Sequence, residues 1–154
     1  MAEKILVPLD GSKTGEAALR IVENIITKFN PVIKVEVTLL EVLTSQSHYV
    51  MAGDAGVQVL YTDNEIAGIK KEALDYLKKS GERIAALGAV INPKVVTGNA
   101  AEEILKASEE IHADLIAMST HGRSGLSRLA LGSVTEKVLR GSISPVMVVR
   151  SRKE

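Results

Sequence analysis

The order of apolar and polar positions divides the chain into strands that alternate with helices. Ile5 to Leu9 form an apolar run that ends in the turn sequence Pro8-Leu9-Asp10-Gly11-Ser12, and an amphipathic segment follows. Across Thr14 to Phe29, Ala18, Ile21, Ile25 and Phe29 recur at helical spacing, and Pro31 closes that helix. Ile33 to Leu43 supply a second strand rich in β-branched residues. Thr44 to Thr62 then form a long, polar, glycine-containing connection with no clear period; it reads either as a mobile flap or partner contact, or as an ordered surface loop with no role.

Thr62-x-x-Glu65 has the form of a capping box, and Ile66, Ile69, Ala73, Leu77, Ile84 and Leu87 mark the stripe of one long second helix. Val90 to Thr97 give a third strand, in which Pro93 predicts an edge position or a bulge. Asn99-x-x-Glu102 starts a third helix carrying Ala101, Ile104, Leu105, Ser108 and Ile111. Leu115 to Met118 are apolar on both faces, as in a central parallel strand. A last helix runs from about Ser133 to Arg140 and ends at Gly141, and Pro145 to Val149 make a fifth strand. Strands alternating with helices predict an α/β fold: a doubly wound, five-stranded parallel sheet with right-handed crossovers and helices on both faces.

A length of 154 residues suits one compact domain over 1–154. Lys plus Arg equals Asp plus Glu at 19 each, so no global field favours nucleic acid or an anionic membrane, and any anion site must be local. The absence of cysteine removes disulfides, thiolate catalysis and zinc fingers, and fits a reducing compartment. No apolar run is long enough for a signal peptide or a membrane span, which gives the expectation of a soluble, cytoplasmic protein.

The chemistry concentrates in Asp114 to Val134, where a buried strand enters a loop punctuated by Gly122 and Gly125, and Gly132-Ser133 opens the next helix. Free N–H groups and the positive dipole end of that helix make an anion site, most often for phosphate. Ser133-x-x-Glu136 also fits a capping box, so Ser133 can be structural, phosphate-binding or both. Neither a Walker-type Gly-x4-Gly-Lys-Ser/Thr nor a Gly-x-Gly-x-x-Gly after the first strand is present.

The spacing Ser119-x2-Gly122-x9-Gly132-Ser133 resembles the Gly-x2-Gly-x9-Gly-Ser/Thr signature of the universal stress protein family, with serine in place of the first glycine. The likeness spans nearly the whole chain. It implies strand order 3-2-1-4-5, with the Leu9-Asp10 end beside the Met118-Arg123 loop at a switch point where ligands bind. It further implies an adenine-nucleotide site, for ATP or for AMP or ADP, built from Pro8, Leu9, Asp10, Val42, Gly98, Met118, Ser119, His121, Gly122, Arg123, Gly132, Ser133 and Val134. In that picture Asp10, an acceptor only, meets the adenosine, the Val42 backbone meets adenine, and Gly98 lines the nucleoside pocket.

His121, Arg123 and Arg128 would help compensate a triphosphate, aided by Mg²⁺ or Mn²⁺ bound through the phosphates alone; for Arg128 a solvated loop is an equal alternative. His48 and His112 lack metal-like spacing, and no protein metal site is expected. Glu41 departs from the histidine common at its position in the family. The function so implied is a nucleotide-binding module with a stress-response or regulatory role. It forms a homodimer through the 145–149 edge strand and lacks robust catalysis. A slow ATPase or phosphoryl-transfer protein is one alternative, and a dimeric interaction protein without nucleotide is another.

Overall fold

The computed structural model describes residues 2–29, 31–44, 47–120 and 131–151, apart from the side chain at position 48. Strands β1 (Ala2–Leu9), β2 (Lys34–Leu43), β5 (Val90–Thr97), β6 (Leu115–Thr120) and β7 (Val146–Arg150) form one parallel sheet in the order β5-β2-β1-β6-β7. With β3 (Ser47–Ala52) and β4 (Ala55–Leu60) set aside as a separate antiparallel pair, this is the 3-2-1-4-5 pattern. β5 lies at one edge, so Pro93 sits where a missing N–H is tolerated.

Alternation along the strands sorts the core into two layers. Ile5, Val7 and Leu9 of β1 join Val35, Val37 and Leu39 of β2 beneath α1 (Ala17–Ile26), α2 (Asp63–Ser80) and α3 (Glu82–Ala86). On the other face Leu6, Leu40, Ile116 and Met118 pack with Ala101, Ile104 and Ala107 of α4 (Ala100–Ile111) and Val138 of α5 (Ser133–Gly141). No helix among the described residues is long and apolar enough to cross a membrane.

Four sequence expectations are corrected. The 44–62 connection contains a hairpin, β3 and β4, joined by the two-residue loop Gly53-Asp54 with Gly53 at φ +68°. The buried stripe of α1 is Ala18, Leu19, Val22 and Ile26, while Ile21 is exposed, so the helix turns its neighbouring face to the sheet. The long second helix divides at Gly81, where a Cβ would stand 2.8 Å from Ile91 Cγ2 and 3.0 Å from Leu39 Cδ1; close approach to the sheet demands a glycine, and the helix breaks there. Thr62 does form its full capping box with Glu65. Ser133, by contrast, is not a cap: Gly132 takes that position at φ +82°, and the Glu136 carboxylate pairs with Arg140 at 2.8 Å.

The strand register opens a crevice. β1 pairs with β6 only at Ile5↔Leu115 and Leu6↔Ile116, whereas β1 stays with β2 to Leu9↔Glu41 and β6 stays with β7 to Thr120↔Arg150. Beyond Leu6 and Ile116 the two central strands part, as expected at a switch point.

Candidate functional site

The carboxyl ends of the strands are shaped by hydroxyl and carboxylate turns. After β1, the Asp10 carboxylate accepts from the Ser12 N–H at 2.9 Å and from its hydroxyl at 2.6 Å, while the Ser12 Oγ accepts from the Gly15 N–H at 3.0 Å. A Cβ on Gly15 would lie 2.6 Å from Asp10 Oδ1, so this tight turn requires glycine. Across the parted strands, Ser119 Oγ donates to the Gly15 carbonyl at 2.7 Å and accepts from the Ala18 N–H at 2.8 Å. The start of α1, which has no cap of its own, is thereby capped from β6.

Helix starts at this edge differ in one respect. Asn99 caps α4 through the Glu102 N–H at 3.2 Å, and Thr62 caps α2 through the Glu65 N–H at 3.2 Å. Among the described residues no side chain caps the first turn of α5, whose N-cap residue is Gly132. Among the described residues, nothing stands within 4 Å of where a Gly132 Cβ would be. Gly98 holds φ +146° beside Glu103 and donates its N–H to the Leu43 carbonyl at 3.1 Å, which fixes the end of β5 against β2.

An open cavity of about 420 Å³ lies between the residue after β2, the turn into α4 and the first turns of α5. Gly98, Ser133 and Val134 line it, as expected from the sequence. So do Thr44, Asn99, Ala100, Ala101 and Lys137, which the sequence reading did not assign to the site. Lys137 lies four positions into α5 and one turn beyond Ser133, so helical spacing alone could have flagged it. The cavity therefore joins an open helix start to a lysine, a combination suited to an anion.

The remaining predicted residues have other surroundings. Leu9 and Met118 bury their side chains in the two core layers, Val42 packs partly against the second, and Pro8 pairs in register with Leu40. His121, Gly122 and Arg123, with Gly125 and Arg128, lie outside the described residues. Glu41, beside Leu9 in register, has a carboxylate oxygen, Oε2, that is buried without a hydrogen-bond partner among the described residues. Burial, reinforced by the Asp10 charge, pushes its pKa up from the ordinary carboxylate value. Tyr76 donates to Glu16 at 3.1 Å, and burial pushes its phenol up to about 12.

Residues 1–150 match the universal stress protein family. The chain belongs to that family. It is 32% identical to the universal stress protein MJ0577 of Methanocaldococcus jannaschii over 99% of this chain and 97% of that protein. It is 31% identical to the universal stress protein YxiE of Bacillus subtilis, over 97% of this chain and 100% of that one. The solved structure of MJ0577 superposes with a TM-score of 0.73 at 29% identity, covering 100% of this chain and 99% of the other. More distant universal stress protein structures share the fold at 15% to 20% identity. Among them are an Arabidopsis thaliana protein with AMP bound, at TM-score 0.62 and covering 97% of this chain and 92% of that one, and a cAMP complex, at 0.61 and covering 98% of each.

Proposed function

We propose that this universal stress protein binds an adenine nucleotide at the carboxyl edge of its sheet and acts as a nucleotide-responsive module rather than as a robust catalyst. The observation that carries this reading is the open start of α5, with Gly132 at φ +82° and no side-chain cap among the described residues, facing a cavity that also contains Lys137. Phosphates would lie at Gly132, Ser133 and Val134, with Lys137 as a further counter-charge. The nucleoside would extend toward the Asp10 end of β1, where the central strands part, between Gly98 and the Val42 backbone. His121, Gly122 and Arg123 would complete the phosphate side. Family members of this fold hold AMP and cAMP, which supports adenine as the base.

Mg²⁺ or Mn²⁺ would arrive on the phosphates of ATP. Ser119 does not argue against binding, because its hydroxyl is committed to Gly15 and Ala18. The deciding experiment is mass spectrometry of the nucleotide that co-purifies with the protein, followed by calorimetry with ATP, ADP and AMP. One site per chain is expected, and absence of heat and of thermal shift at millimolar ATP would favour an interaction protein without nucleotide.

A further inference from the structure

Among the described residues, the β3–β4 hairpin pairs with no strand of the main sheet, and every residue of β4 is exposed. Two strands alone are marginal in water unless a face is covered. Its two faces differ. Val50, Val57 and Val59 are 43%, 49% and 40% exposed, whereas Tyr49, Met51 and Leu60 on the opposite face are 76%, 69% and 74% exposed, so the second face is the open one. Gly56 leaves that face flat: a Cβ there would touch Tyr49 Cδ1 at 3.6 Å and Met51 Sδ at 3.9 Å, so the ring lies over bare backbone.

The hairpin is attached at the edge of the cavity. It departs from β2 just past Thr44, which lines the cavity, and returns at Thr62, the cap of α2. Six residues per strand reach about 20 Å, while the parted strands β1 and β6 lie only about 5 and 10 Å from β2. The crevice is thus within reach of the arm. Between Ser47 and Leu60 the single carboxylate is Asp54, in the loop, and lysine and arginine are absent. Such a face has nothing to offer phosphates and suits a flat, apolar-faced group.

Resting on the nucleotide reading above, we infer that the Tyr49–Met51–Leu60 face forms the roof of the base site, with Tyr49 stacking on the nucleobase once the phosphates are seated at α5. This assigns base affinity to the hairpin and leaves phosphate affinity with the sheet edge.

The test compares ATP and inorganic triphosphate on the full chain, on Tyr49→Ser, and on a variant with residues 47–60 replaced by a short glycine-serine linker. Circular dichroism checks that each is folded. Both variants should release ATP on the order of tenfold faster, with triphosphate affinity unchanged. Because the chain lacks tryptophan, Tyr49→Trp adds a direct signal: fluorescence quenched by ATP and not by triphosphate. Parent-like ATP binding by the linker variant overturns the roof, as does an equal loss for both ligands. A linker variant that becomes monomeric yet binds ATP normally overturns it in favour of hairpin pairing between two copies. If the parent itself binds no nucleotide, the nucleotide reading and the roof fall together.

Discussion

Ser119 Oγ lies 2.8 Å from the Ala18 backbone nitrogen, a contact between residues 101 positions apart in which a strand end caps a helix start. The same hydroxyl donates to Gly15, so the switch-point crevice is bridged on the α1 side by one serine. Where the family signature has glycine, this chain has a structural tie.

Ser119→Gly should therefore act mainly on stability. Removing a cap costs about 1 kcal/mol, and the loss of the Gly15 bond adds to it. Adenine-nucleotide affinity should change by less than about tenfold. Urea unfolding and calorimetry on the same samples check both halves, and a large gain in affinity would show that the hydroxyl obstructs the ligand.

Ser133 separates helix capping from phosphate binding more sharply than its sequence pattern allows. Since Gly132 holds the cap position, Ser133→Ala should leave stability within about 0.5 kcal/mol of the parent. Ser133→Asp puts a carboxylate where the anion is proposed to sit and should remain folded while losing ATP binding. Gly132→Val forces a β-branched residue to φ +82° and should cost at least about 1–2 kcal/mol. A stable Ser133→Asp variant that binds ATP like the parent would place the phosphates elsewhere.

Lys137 should contribute in proportion to phosphate charge. Lys137→Gln is expected to weaken ATP more than AMP, and the difference should shrink as salt rises, because the lysine is solvent-exposed. Equal effects on the two nucleotides, measured by calorimetry at low and high salt, would remove it from the phosphate side.

Glu41 gives a pH signature. Burial raises its folded pKa above the unfolded value, so its stabilising contribution is fully present below about pH 4.5 and is lost as pH rises through the raised folded pKa. Glu41→Gln should flatten that part of the stability profile and stabilise the protein at neutral pH. Thermal melts from pH 4 to 8 on both proteins check the sign; an unchanged difference across the range would contradict it.

Assembly is the remaining proposal. β7 is an edge strand whose Val146, Met147, Val148 and Val149 are only partly covered, and such an edge favours pairing with a second copy. A homodimer is expected by light scattering at tens of micromolar, with Val148→Lys shifting it toward monomer.

The sequence by itself determined the alternation of strands and helices and the Thr62 cap, and through Pro93 it narrowed the third strand to an edge or a bulge, because each depends on local periodicity or on one residue's missing or added donor. It also marked Gly132 as the opening of α5, since glycine followed by a helical pattern is local information. Only the tertiary structure decided which face of α1 is buried, because Ile21 and Val22 are neighbours on the same apolar half and the sheet's direction of approach chooses between them. The hairpin escaped period analysis because both of its faces carry apolar residues, which hides the alternation, although Gly53-Asp54 marked its loop. Ser133 matched a capping box by spacing, yet the backbone moved the cap one residue earlier. The pairing of Ser119 with Ala18, and the meeting of Thr44, Gly98 and Lys137 around one cavity, arise from strand order, and no local pattern encodes which distant segments a parallel sheet brings together.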